Sequence, residues 1–171
     1  MKYLLSIALF LISSSAYTQE LHPQLGALEN LLGGTWIADG QWGDGSAFKQ
    51  ESAFVIGLSG NMIKSKTWGN ISQTEYKHGL RSEGVRFWDA SDSTLKFWEF
   101  DVFGSGLEGE ITIIDKNIYL NYNYDFGSGP MQLTDGWIFI SENEYEFVVG
   151  VFENGEWKQK YISTPIKRII D

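Results

Sequence analysis

The chain reads as all-β: an up-and-down antiparallel β-barrel of about 8–10 strands, with a short N-terminal helix capping one end. Three observations predict it. From Thr35 onward the hydrophobic period drops to two, over about eleven runs of roughly 6–10 residues. Short turns join the runs. The plainest is Asn154-Gly155, because both residues of a two-residue hairpin turn take positive φ. After residue 33 no segment carries a helical stripe, and βαβ spacing is absent. A meander this long avoids exposed edges by closing on itself. A Greek-key sandwich is the other arrangement such a pattern allows.

The elements follow in order. Pro23 suits a first helical position, where its missing N–H costs nothing. Leu25, Leu28, Leu31 and Leu32 then share one face, and Gly33 can take a left-handed cap. So short a helix does not stand alone in water, so its leucine face must lie on the barrel mouth. The expected strands are 35–41, 48–56, 61–68, 73–78 (short and polar), 83–89, 94–101, 107–114, 117–125, 131–140, 144–152 and 156–163. Glycine, serine, aspartate and asparagine fill the turns between them. Arg86-Phe87-Trp88 and Lys96-Phe97-Trp98 fall on paired strands, which makes them cross-strand aromatic packing and not a repeat.

Residues 1–19 read as a secretory signal peptide. Lys2 is the charged start, the stretch 3–12 is apolar except Ser6, and Ser13-Ser14-Ser15-Ala16 supplies small residues for cleavage after Ala16 or near Gln19. That run is far below the ~20 residues needed to cross a bilayer. The expectation is therefore a single domain over residues 20–171, exported to the periplasm or medium, without stable membrane insertion. With 171 residues the chain can bury a real core without staples. It has no cysteine, which removes disulfides, thiolate metal sites and a lipidated cysteine anchor. The net charge of −9, from 13 basic and 22 acidic residues, argues against nucleic acid, since that binding needs a basic surface.

At Leu31-Leu32-Gly33-Gly34-Thr35-Trp36, with Gly43-Asp44-Gly45 beyond, the chain resembles the calycin superfamily of lipocalins, fatty-acid-binding proteins and nitrobindin-like haem barrels. Residues 24–169 are also similar to bacterial exported lipocalin-like domains of unknown function. The resemblance implies eight to ten strands around a mostly apolar cavity. It also implies that Trp36 packs across the barrel floor against a basic residue of the last strand, Lys167 or Arg168. Nitrobindin-like barrels hold haem through a late histidine. This chain has only His22 and His78, so no cofactor is expected.

The candidate chemistry is sparse. His78 sits where a strand meets a turn and could act as a base oriented by Glu83 or Glu75. A solvated loop histidine is the plainer reading, and no spacing suits a metal. Glu99 with Asp101, and Glu108 with Glu110, share faces at i, i+2, and would form an acid–base pair only if turned inward. Asp135 interrupts the apolar row Met131, Leu133, Trp137, Phe139. Either it is buried and paired with Arg86 or Arg81, or Asp135-Gly136 is a bulge that tips it into solvent, the favoured reading. Leu120, Tyr122 and Tyr124 make one face of their strand. No nucleophile elbow, phosphate loop or EF-hand loop occurs.

The leading expectation is a barrel holding a small, largely apolar molecule. Trp68, Phe87, Trp88, Trp98, Tyr122 and Trp137 would contact it, with Arg86, Asp135 or His78 supplying polar contact. The alternatives are a filled barrel acting through its surface, or a small hydrolase or isomerase using His78 or a carboxylate.

Overall fold

The computed structural model of the protein describes residues 20–125, 127 and 129–170. The expected export segment lies outside them. The described residues form a closed barrel of ten antiparallel strands: β1 (Thr35–Gln41), β2 (Ala47–Gly57), β3 (Met62–Asn70), β4 (His78–Asp89), β5 (Thr94–Asp101), β6 (Gly106–Ile114), β7 (Asn117–Asp125), β8 (Pro130–Ser141), β9 (Glu144–Glu153) and β10 (Glu156–Ile169). Each strand pairs with the next, and β1 pairs with β10 to close the ring. No edge is left open, and the sandwich alternative falls away.

Ten strands stand where eleven runs were read. Residues 71–77 form a loop instead of a short strand. Asn70 Oδ1 accepts from the backbone N–H groups of Ser72 (3.2 Å) and Lys77 (3.0 Å), and Ile71 N–H donates to Lys77 O at 2.8 Å. The loop is closed on itself and has no free ladder to offer a neighbour. β10 runs six residues past its expected end, so Ile166 and Arg168 are strand residues.

The N-terminal helix (Pro23–Leu31) is a 3-10 helix, not an α-helix. With three residues per turn, Leu25, Leu28 and Leu31 line up on one edge. All three are buried, whereas Leu32, one step out of phase, is only half-buried. Burying each such side chain contributes about 1.5–3 kcal/mol, which is what holds so short a helix in place. His22 caps the start, its Nδ1 accepting from Gln24 N–H at 3.3 Å. After Leu32 the chain turns through Gly33 and Gly34, both at positive φ (78° and 84°). A Cβ on Gly34 would lie 2.3 Å from the Ile169 carbonyl oxygen, so only glycine fits where β1 enters beside β10.

Trp36 anchors this end. It is fully buried, and its Nε1 donates to Leu31 O at 2.9 Å. It meets Trp137 and Tyr145 edge-on, with ring centroids at 5.7 and 5.3 Å. Phe54 and Phe147 pack edge-on to Trp137 at 5.6 and 5.7 Å. Arg168 sits directly across the ladder from Trp36, with its guanidinium 5.1 Å from the ring centre. The same guanidinium donates to Asn30 O and Leu32 O at 3.0 Å, tying the helix end to β10. Lys167 is one residue out of phase. It faces outward and pairs with Glu144 at 3.4 Å, so Arg168 alone lies on the tryptophan.

Candidate functional site

The register decides what the lumen contains. Counting from Trp36, the inward residues on β4 to β8 include Ser82, Arg86 and Trp88; Phe97, Glu99 and Asp101; Leu107; Leu120, Tyr122 and Tyr124; and Leu133, Asp135 and Trp137. At the helix end this lumen is filled by the aromatic cluster around Trp36. At the other end it is open. A cavity of about 560 Å³ lies there, walled by Trp42, Phe48, Leu107, Tyr122, Tyr124, Met131, Leu133, Phe147 and Val149. Gln50, Thr67, Arg81, Ser82, Glu99, Asp101 and Asp135 supply its polar groups. Below it a space of about 50 Å³ reaches down to Arg86, Phe97 and Trp137. A mostly apolar cleft of this size with a few convergent polar groups is what small-molecule sites look like.

The polar groups form two sets. In the first, Arg86 is buried and pairs with Glu99 at 3.2 Å. It also donates to Ser65 Oγ and lies 5.3 Å from the centre of the Phe54 ring. Ser82 Oγ donates to Glu99 Oε1 at 2.8 Å. This set is closed on itself, as a buried ion pair must be. In the second, Tyr122 donates to Asp135 Oδ1 at 2.8 Å. Asp135 is enclosed by barrel wall but keeps some surface toward the cavity. Burial pushes its carboxyl up from the ordinary value to about 7; the nearby Glu99 charge adds to this, while the Tyr122 hydrogen bond and the two arginines oppose it. Burial, and then the Asp135 charge, hold the Tyr122 hydroxyl well above its usual range, so it stays a donor.

The bulge reading at Asp135-Gly136 is corrected. The β8 register runs unbroken there: Asp135 opposes Val149, Gly136 opposes Val148, and the irregularity falls later, between Phe139 and Ser141. Gly136 is on the outer face, where a Cβ would lie 2.7 Å from the Trp157 ring. The glycine makes room for an outer cluster in which Tyr119 stacks on Phe152 at 4.6 Å and Phe152 meets Trp157 at 5.0 Å. The expected partner is corrected too. Arg86 pairs with Glu99, and Asp135 has no direct ion pair among the described residues.

The residues read from the sequence divide by face. Tyr122 and Asp135 line the cavity. Arg86 and Trp137 lie at its floor, and Trp88 has inner-face phase at the helix-capped end. Trp68, Phe87 and Trp98 point outward: Phe87 and Trp98 pack together at 5.0 Å outside the wall, and Trp98 is 46% exposed. His78 is exposed at the start of β4 and touches neither Glu83 nor Glu75; its Nε2 lies 3.5 Å from Glu51 Oε1, and its Nδ1 3.4 Å from the Tyr76 hydroxyl. Of the paired carboxylates, Glu99 and Asp101 face in, while Glu108 and Glu110 face out opposite Trp98 and Lys96. Trp42, Phe48, Gln50 and Phe147 were not singled out as site residues, whereas Arg81, read as a possible partner of Asp135, does line the cavity. Phe48 and Gln50 share the phase of buried Phe54, so counting back along β2 from the core would have found them.

No cluster of metal-binding side chains occurs among the described residues. No family model matches the chain, and a search of curated proteins finds no match either. The closed ten-stranded antiparallel barrel is consistent with a calycin-like fold.

Proposed function

We propose that this chain is an exported, soluble, lipocalin-like barrel that holds a small, mostly apolar molecule in the open half of its lumen. The observation that carries the reading is the contrast inside one barrel. Side chains fill the helix end, yet about 560 Å³ at the other end is left open behind apolar and aromatic walls. Open to solvent, such a space leaves its apolar walls facing water, and a largely apolar occupant would bury them. The deep polar pair Tyr122–Asp135 and the ion pair Arg86–Glu99 give an occupant a fixed orientation.

The test is native mass spectrometry of the mature protein recovered from its own compartment, followed by solvent extraction. The expected result is an added mass that leaves with solvent, on a chain that starts between residues 17 and 20. A bare mass, together with no uptake of apolar fluorescent probes, would overturn the reading. One observation favours a second reading, action through the outer surface: Trp98 and Phe100 are 46% and 64% exposed beside Phe87 on the β4–β5 wall. A bare, probe-inert barrel would favour that face.

A further inference from the structure

Resting on the ligand-binding reading, we infer that the occupant carries a protonated amine, and that its ammonium group docks on Asp135 with its apolar body toward the mouth. The charges of the lumen are unequal in what they have left to give. Arg86 spends its guanidinium on Glu99, Ser65 and the Phe54 face. Glu99 is held by Arg86 and Ser82. Asp101 Oδ1 accepts the backbone N–H groups of Phe103 and Ser105, both at 2.9 Å. Among the described residues, Asp101 keeps Oδ2 without a donor, and Asp135 has a single donor in all, the Tyr122 hydroxyl, on one of its two oxygens. An ionised carboxylate offers about four acceptor sites, so most of its capacity faces the cavity unused.

With Asp135 ionised the lumen holds three carboxylates, Glu99, Asp101 and Asp135, against two guanidiniums, Arg86 and Arg81, which leaves one negative charge to balance. From β5, Glu99 and Asp101 face the same space; from β4, Arg86 is neutralised by Glu99, and Arg81 lies among the cavity-lining residues. From β7 come Tyr122 and Tyr124, and β9 brings only Phe147 and Val149. An anionic head docked on Asp135 would meet the like charge of that carboxylate. A hydroxyl could satisfy one acceptor site but leave the buried charge unbalanced. An ammonium neutralises that charge and brings up to three donors. The buried carboxyl titrates near 7, so the site is also pH-sensitive in a defined direction: protonation removes the ammonium's partner.

The experiment uses displacement of the neutral probe N-phenyl-1-naphthylamine by decylamine, decanol and decanoate below their micellar concentrations. Wild type and Asp135→Asn are compared at pH 8.5, and wild type again at pH 5.5. The expected result is that the amine binds at least about tenfold more tightly than the alcohol, and the acid least. In Asp135→Asn that preference is lost, and the amine binds no more tightly than the alcohol. At pH 5.5 the amine weakens roughly 30-fold, as follows when only the ionised carboxylate binds it, and the alcohol is unmoved. If the probe binds but the amine does no better than the alcohol, or its preference survives in the variant, this inference is overturned and the binding reading stands. If the probe does not bind and the native mass is bare, the binding reading itself falls; if a co-purified molecule keeps the probe out, the head group of that molecule, amine or not, decides this inference. Should Asp135→Asn not fold, the wild-type head-group series and its pH dependence decide alone.

Discussion

The two ends of this barrel are made from the same strands and solve opposite problems. At the helix end every inward position is spent on packing: Trp36, Phe54, Trp137, Tyr145 and Phe147 interlock, and three leucines seal them from above. Arg168 binds strand, helix and tryptophan together with one planar cation. At the open end the same strands, a few residues further along, carry Gln50, Thr67, Glu99, Asp101 and Asp135 on inward positions. These side chains do not fill space. They line it with polar groups, and burial raises the carboxyl of one of them, Asp135, above its ordinary value. The difference teaches that close packing and open space are divided along the barrel axis.

The largest test of that division is a matched pair of truncations. Trp36→Ala should cost about 4 kcal/mol, because it opens a sealed hole among rings that cannot collapse. Phe48→Ala removes an equally buried ring, but one that borders an existing open cavity. It should cost about 2 kcal/mol, measured by denaturant unfolding. Equal losses would break the comparison.

The second test reads the carboxylate. Asp135 titrates near 7 when folded, above the ordinary 3.8. The folded chain therefore holds that proton more tightly than the unfolded one. Its contribution to stability is complete below about pH 4 and is lost as pH rises through 7. Relative to Asp135→Asn, the empty wild-type barrel should lose on the order of 3 kcal/mol between pH 4 and 8, with no further change above. The difference between the two proteins isolates this one group from the barrel's other acids. A flat difference would mean that Asp135 is solvated like a surface carboxylate. A bound amine should restore the lost stability at high pH.

Third comes the seam between strand and helix. Arg168→Ala removes a stacked guanidinium and the cap on the helix carbonyls, and should cost about 2 kcal/mol in thermal unfolding. Lys167→Ala, its outward neighbour in an exposed ion pair, should change stability by less than about 0.5 kcal/mol. A large effect at Lys167 would show that the closure of the barrel, not the tryptophan cation stack, is what matters there.

How much of this was legible from residues alone follows from the physics of each part. Turn chemistry marks hairpins locally, which is why β1, β5 and β7 were placed to the residue, and why Asn154-Gly155 was recognised as a turn. The leucine spacing marked a buried helical edge, though not that its period was three. Residues 73–78 alternate like a strand, but Asn70, just before them, captures the backbone that would have paired. Which face points inward is not a local property. Trp98 and Phe97 are both large and aromatic, and only closure of the ring turns Phe97 in and leaves Trp98 out. Asp135 was misjudged because Gly136 beside it suggested a bulge, whereas the glycine answers to Trp157, twenty-one positions downstream. Distant partners of this kind are fixed by register, which no window of sequence contains.

The smallest expected effect tests the outside against the inside. His78 was the residue with the most obvious catalytic potential, and it stands on the outer rim with Glu51 at 3.5 Å and a solvated Tyr76 beside it. An exposed pair of this kind is worth at most about 1 kcal/mol. His78→Ala should change unfolding by about 0.5 kcal/mol or less and leave probe affinity in the lumen unaltered, checked in the same fluorescence titration used for Asp135. The result matters because the two residues make opposite claims on the barrel. If removing His78 disturbed binding while replacing Asp135 did not, the site would lie at the rim loop 71–77 rather than in the lumen. The division between a packed end and a receptive end would then have to be redrawn around the mouth.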